Sequence, residues 1–397
     1  MISEKMITLA GKNSAIRAMF EEGNRLAAEF GRENVYDFSL GNPNFPAPSN
    51  VKTSILDILE NEESTFVHGY MSNAGYPDVR SAVAESINSR FDTGFNENNI
   101  IMTAGAAGGL NVILKTLLNP GDEVLVFSPY FVEYGNYVNN YDGVLITVPT
   151  NDTTFMPDCE SLEAAITAKT KALIINTPNN PTGVIYPESV IKSVSAVLEK
   201  KQAEFGTSIY ILSDEPYREL AYDGIEVPYL TKYYKNTIIG YSWSKSLSLP
   251  GERIGYLVIP SELDDYQIIW EAAGIANRIL GFVNAPSLIQ RVVARCLDAK
   301  VNISAYDANR QMLYDALTTL GFECIRPSGA FYLWVKSPVA DEKEFVASAK
   351  KYNLLIVPGS SFAGPGYVRL AYCVSPDMIK RSLPAFEKLA AEYGLSK

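Results

Sequence analysis

Residues 171–183 read KALIINTPNNPTG: a continuous apolar segment followed by a loop with two prolines and two adjacent asparagines. An unbroken apolar segment predicts a strand covered on both faces. Working outward, the same pattern recurs in IIMTA (100–104), EVLVFS (123–128), GVLITV (143–148), SIYILSD (208–214), NTIIGYS (236–242) and GYLVIP (255–260). Helical segments at 107–118, 130–140, 158–168 and 187–203 separate several of them. Apolar strands alternating with helices predict an α/β fold, a mainly parallel seven-stranded sheet with helices on both faces. Between 240 and 260 there is no room for a crossover helix, so one antiparallel strand is expected.

Upstream, residues 14–30 predict a helix, with Ser14 as cap and Ile16, Met19, Phe20, Leu26 and Ala27 on its apolar face. VYDFSLGNPNFPAP (35–48) predicts a short strand running into a loop, and 77–90 a helix opened by Pro77. The tail differs in character. A helix-rich stretch (286–320) precedes AFYLWVK (330–336), a helix near 342–351, LLIVPG (354–359), YVRLAYC (367–373) and a last helix at 376–393. This is material for a smaller α+β domain. The expected division is an N-terminal segment, 1–45, contributing to the small domain, a large domain, 46–290, and a C-terminal small domain, 291–397.

The 397 residues include 34 Lys+Arg and 45 Asp+Glu, a net charge of -11. An acidic surface repels a phosphate backbone, so no nucleic-acid partner is expected. No apolar run is long enough to span a membrane, and MISEKMITLAGKNS lacks the apolar core of a secretory leader. Cys159, Cys296, Cys324 and Cys373 are widely spaced and read as reduced thiols of a cytoplasmic protein. His68 is the one histidine. That excludes His-rich metal sites, and any acid–base chemistry falls to Lys, Tyr, Asp, Glu or a cofactor. His68 itself, in HGYMSNAGY, reads as a hydrogen-bonded loop residue.

Ligands of doubly wound folds sit at the carboxyl ends of the strands, where several polar residues cluster here. TAGAAGG (103–109) follows a strand and opens a helix: a tight turn, or a cradle whose N–H groups meet an anion. NTPNNPTG (176–183) is a plain turn, or a rigid loop aiming Asn180 at a ligand. Asp214 ends an apolar strand, as a cap or as a buried acid needing a partner. Lys245, in SWSK (242–245), is a surface lysine, a base or a Schiff-base former. Ser242 and Lys245 also match SxxK, but neither SDN nor KTG accompanies them. Arg369 lies inside an apolar strand, which calls for an anionic partner, structural or bound.

Together LGNPNF (40–45), GYMSNAGYPDVR (69–80), TAGAAGGL (103–110), SPYF (128–131), NTPNNPTG (176–183), SDEPY (213–217), SWSK (242–245), ERIGY (252–256), SGAFY (328–332) and YVRLAY (367–372) resemble the class I/II aminotransferases. These are fold-type I enzymes of amino-acid metabolism that use pyridoxal 5′-phosphate (PLP). The resemblance runs through nearly the whole chain, in order and spacing. It implies that Lys245 forms the Schiff base with PLP, Asp214 pairs with the pyridine nitrogen, and Asn180 and Tyr217 meet the 3′-oxygen. Phe131 would stack on the ring. Gly105, Ala106, Ser242, Ser244 and Arg253 would hold the phosphate, with Tyr70 reaching in from the neighbouring subunit of a homodimer. Arg369, helped by Gly41 and Asn180, would grip the substrate α-carboxylate.

The resemblance further implies amino-group transfer from an L-amino acid to a 2-oxo acid by a ping-pong route. Aspartate with 2-oxoglutarate is one such pair. Ala107 stands where some relatives carry a lysine for the distal carboxylate, and Arg278 is in roughly the region of a partner-subunit arginine with that task. A carbon–sulfur β-lyase, a decarboxylase or a cyclase would use the same core residues. A PLP-sensing regulator would need a DNA-binding domain ahead of LGNPNF, where only about 38 non-basic residues stand.

Overall fold

The computed structural model describes residues 2–10 and 15–395. Ser14, the expected cap, lies outside the described residues, as do the side chains of Ile16 and Phe20; the helix itself spans Ala15–Phe30 and buries Met19 and Leu26. After β1 (Tyr36–Asp37), seven strands build the main sheet: β2 (Ile100–Thr103), β3 (Glu123–Phe127), β4 (Val144–Val148), β5 (Thr170–Asn176), β6 (Tyr210–Asp214), β7 (Thr237–Ser242) and β8 (Gly255–Val258). Their order is β2–β8–β7–β6–β5–β3–β4. Strand β8 is antiparallel to both neighbours and the remaining pairs are parallel, as the short 240–260 connection requires.

Apart from the edge strand β4, where Val144 is exposed, the apolar runs have no polar face because both faces are covered. Successive side chains of a strand point to opposite sides. Leu173 and Ile175 join one cluster with Leu125, Ile211 and Ile239, while Ala172 and Ile174 join another with Val126, Leu212 and Ile238. Ile191, Val194 and Leu198 of the helix Glu188–Phe205 close the first face; Leu110 and Leu114 of the helix Gly105–Leu117 close the second. Each such buried aliphatic side chain stabilises the fold by about 1.5–3 kcal/mol before entropy is counted.

The tail forms a second sheet from β9 (Cys324–Ile325), β10 (Tyr332–Lys336), β12 (Val357–Pro358) and β13 (Tyr367–Ala371), antiparallel throughout in the order β12–β13–β10–β9. LLIVPG, expected as one strand, is two. Its first half is β11 (Leu354–Leu355), paired in parallel with β1, and its second half is β12, at the edge of the second sheet. Pro358 has no N–H to extend a ladder inward, which suits an edge. Met19, Leu26, Val35 and Phe38 pack in one cluster with Leu333, Leu355, Val368 and Phe386.

Other boundaries shift. The helices expected at 130–140 and 158–168 are Glu133–Asn140 and Cys159–Ala165, the latter capped by the Asp158 carboxylate. Helices Ser49–Asn61, Ser64–His68 and Tyr266–Ile279 had no expectation. His68 is therefore not a loop residue: it ends a five-residue helix, is exposed, and has no hydrogen-bond partner among the described residues. That turn is held from outside. Tyr76 Oη donates to the Phe66 carbonyl at 2.7 Å, and Ser287 Oγ donates to that of Val67. Among the described residues no helix is long and apolar enough to cross a membrane, and no group of His, Cys, Asp and Glu could hold a metal.

Candidate active site

The parallel strands β5, β6 and β7 end at Asn176, Asp214 and Ser242. Asn176 and Asp214 are register partners, and the Asn176 side chain ties two segments together. Its amide donates to the Asp214 carbonyl at 2.8 Å, and its Oδ1 accepts the Asn180 N–H at 2.7 Å. The NTPNNPTG loop is thus folded back on its own strand, and Asn180 comes to lie beside Arg369 of β13, which donates to its Oδ1 at 3.1 Å.

Asp214 is buried, and its Oδ2 accepts a hydrogen bond from Tyr134 Oη at 2.6 Å. Its Oδ1 is buried with no partner. Burial pushes the carboxyl up to about 7, against the Tyr134 hydrogen bond, with the Glu215 charge adding to the rise. Asp214 is a buried acid lacking one partner, and it caps nothing.

Lys245 sits in a one-turn helix, Trp243–Ser246, directly after β7. Its Nζ donates to the Gly41 carbonyl at 2.8 Å. Burial brings the amine down to about 8; the nearby Cys373 thiol opposes this, and Arg253 and Arg369 add to it. A lysine near neutrality is a usable base and nucleophile, which an exposed lysine is not.

Arg369 is 2% exposed, and its guanidinium lies between the rings of Tyr332 (4.4 Å) and Phe362 (4.5 Å). It donates to the Ser39 carbonyl at 2.6 Å, its Nε has no partner, and no carboxylate among the described residues pairs with it. A structural ion pair is therefore absent among the described residues, and a buried cation without one calls for an anion.

A second anion position lies at the helix Gly105–Leu117. No side chain caps its first turn. Free N–H groups and the helix dipole there favour negative charge. Gly105 has φ +72°, a conformation strained for other residues, and a Cβ on it would stand 2.8 Å from Arg253 Nη2, so a side chain here would push the guanidinium off the turn.

These groups share one cavity of about 300 Å³. Gly41, Ala106, Phe131 and Asn180 line it together with Asp214, Tyr217, Ser242, Ser244, Lys245, Arg253 and Arg369. Gly105, Tyr70 and Arg278 do not; Gly105 is buried in the turn behind Ala106. Tyr70 is 90% exposed, and Arg278 is exposed in the last turn of Tyr266–Ile279. Two further lining residues, Tyr134 and Tyr332, were not singled out. Tyr332 Oη is 2.8 Å from Tyr217 Oη. Tyr134 stands three residues beyond Phe131 in SPYFVEY, close to one helical turn, and that spacing is the signal that could have found it.

The donor set suits a phosphorylated pyridine aldehyde. It offers an anion cradle at one end, an unpartnered buried carboxylate oxygen for a protonated ring nitrogen, a near-neutral amine and a second buried cation. Residues 33–386 match the family described as Aminotransferase class I and II. A probable aspartate/prephenate aminotransferase of Thermus aquaticus is 33% identical over 91% of this chain and 94% of its own. The crystal structure of an amino transferase from Eubacterium rectale is 46% identical, with a TM-score of 0.97 over 99% of both chains. Aspartate aminotransferase from Thermus thermophilus, solved with maleate, is 29% identical, with a TM-score of 0.86 over 98% of this chain and 100% of that one. The chain belongs to the class I and II aminotransferases, PLP-dependent enzymes of fold type I.

Proposed function

We propose that this cavity binds PLP and moves an amino group from an L-amino acid to a 2-oxo acid in two half-reactions, with aspartate and 2-oxoglutarate as the leading pair. The observation that carries the reading is the coincidence in one cavity of Lys245, the unpaired Asp214 Oδ1 and a buried arginine without an acid. Bound PLP supplies an aldehyde that takes the amino group and a ring that accepts electrons. Lys245 would hold the cofactor through its aldehyde carbon, and once displaced by substrate its Nζ would be the base that takes the substrate Cα proton and delivers it to that carbon. Asp214 would stabilise positive charge on the ring nitrogen, Asn180 and Tyr217 would hold the ring oxygen, and Phe131 would stack on the ring. Gly105, Ala106, Ser242, Ser244 and Arg253 hold the phosphate. Arg369, with Gly41 and Asn180, orients the α-carboxylate so that the Cα proton faces Lys245.

The division at 45 and 290 belongs to this reading, supported by the separate sheets and clusters on either side of the cavity. So does a homodimer in which Tyr70 and Arg278 serve the partner's site. It is supported by Ile268, Ile275 and Ile279, exposed on one face of the helix that carries Arg278. A cytoplasmic setting is supported by four unpaired cysteines. The choice of aspartate is supported by the names of relatives from Thermus aquaticus and Pyrococcus horikoshii.

A panel of amino donors and 2-oxo acids tests the reaction class. New amino acid formed one-for-one from the added 2-oxo acid is the expected result, with aspartate and 2-oxoglutarate among the best substrates. Ammonia or carbon dioxide released without a new amino acid would replace transamination by elimination or decarboxylation. Transfer confined to apolar donors would remove aspartate alone.

A further inference from the structure

We propose that Tyr134 is a positioning residue for the cofactor: its hydroxyl holds Asp214 Oδ2, so that the carboxylate presents Oδ1, charged, to the ring nitrogen. The proposal rests on the reading of PLP in this cavity.

Tyr134 belongs to the helix Glu133–Asn140, lines the same cavity as Lys245, and is wholly buried. Its ring meets Phe131 edge-on, with centroids 5.6 Å apart and planes at 86°. The hydroxyl spends its one proton on Asp214 at 2.6 Å, the length of an O–H···O⁻ bond to an ionised acceptor. Among the described residues no other side chain hydrogen-bonds the carboxylate; Asn176 holds only the backbone carbonyl of Asp214. One donor therefore fixes the rotation of the group. A second donor on Oδ1 would consume the oxygen that the ring nitrogen needs, and the described residues supply none.

The proton stays on Tyr134. Burial, and then the neighbouring Asp214 charge, push the phenol well above its ordinary range. The other ionisable groups facing Asp214 are Glu215 from its own segment, Tyr217 beyond it and Tyr137 from the helix of Tyr134. Glu215 raises the carboxyl, while Tyr217 and Tyr137 are themselves raised by its charge. Tyr134 alone among the groups acting on Asp214 favours its charged form. Without it, burial and Glu215 act unopposed, and the carboxyl is more often neutral and free to turn.

The hydroxyl can be tested apart from the ring, since Tyr134→Phe keeps the volume and the edge-on contact. The readout is binding of PLP to full-length protein freed of cofactor, followed by quenching of intrinsic fluorescence. The same titration is run with the 1-deaza analogue, in which a C–H replaces the ring nitrogen. The expected result is PLP binding weakened about tenfold or more by Tyr134→Phe, the scale of a lost hydrogen bond to a charged group. Affinity for the deaza analogue should change by less than about twofold, because that ligand has no nitrogen for Asp214 to serve. Equal losses for both ligands, which damage to the fold would also give, overturn the proposal, as does an unchanged affinity for PLP. Wild-type protein that binds neither ligand overturns the underlying cofactor reading instead.

Discussion

At Asp214 and Lys245 the same burial moves two charges toward neutrality, the carboxyl up to about 7 and the amine down to about 8. The carboxyl carries a stability signature. It ionises near its ordinary 3.8 in the unfolded chain and near about 7 in the folded one. Across that window the folded state keeps a proton that the unfolded state has lost. The group's contribution is therefore complete below 3.8 and is lost as pH rises through about 7. Thermal melts of cofactor-free protein, wild type against Asp214→Asn, should show wild type losing ground from about pH 4 to about pH 7 and no further change above. A difference independent of pH would mean that Asp214 is not the group titrating. Arg369 shows the complementary case, a cation buried between two rings whose hydrogen bonds among the described residues go to the Ser39 carbonyl and Asn180 Oδ1.

At the scale of elements, the strand ends and the first turn of Gly105–Leu117 do the arranging. The positive φ of Gly105 turns the chain from β2 into its helix and leaves room for Arg253. Gly105→Ala should cost about 1 kcal/mol or more in urea unfolding, the usual cost of a side chain in the left-handed region. It should also weaken binding of PLP more than binding of pyridoxal, which lacks the phosphate. Equal losses for the two would detach this turn from the phosphate. The main-sheet strands were readable because each is apolar on both faces. The helix Ser64–His68 was not, since two hydroxyls from elsewhere in the chain hold its carbonyls.

For the whole molecule, Tyr70 and Arg278 lie outside their own chain's cavity, and the proposed homodimer assigns them to the partner's site. Mixing Lys245→Ala protein with Tyr70→Ala protein, each weakly active alone, should restore activity through hybrids with one intact site. Random pairing gives roughly a quarter of the wild-type sites. No recovery after verified subunit exchange would confine each site to one chain. His68 sits two residues before Tyr70 and is exposed, so it is placed to approach the same junction.

The sequence by itself determined the sheet, the single reversed strand and nearly all the polar groups at the strand ends, because apolar periodicity and loop chemistry are local properties. It also carried the motifs that mark the family. Only the tertiary structure decided that Arg369 has no acid partner among the described residues, that burial brings the Lys245 amine down to about 8, and that Tyr134 holds Asp214 from 80 residues away. Partnering and desolvation depend on what the rest of the chain brings within a few ångströms, and no local pattern encodes that.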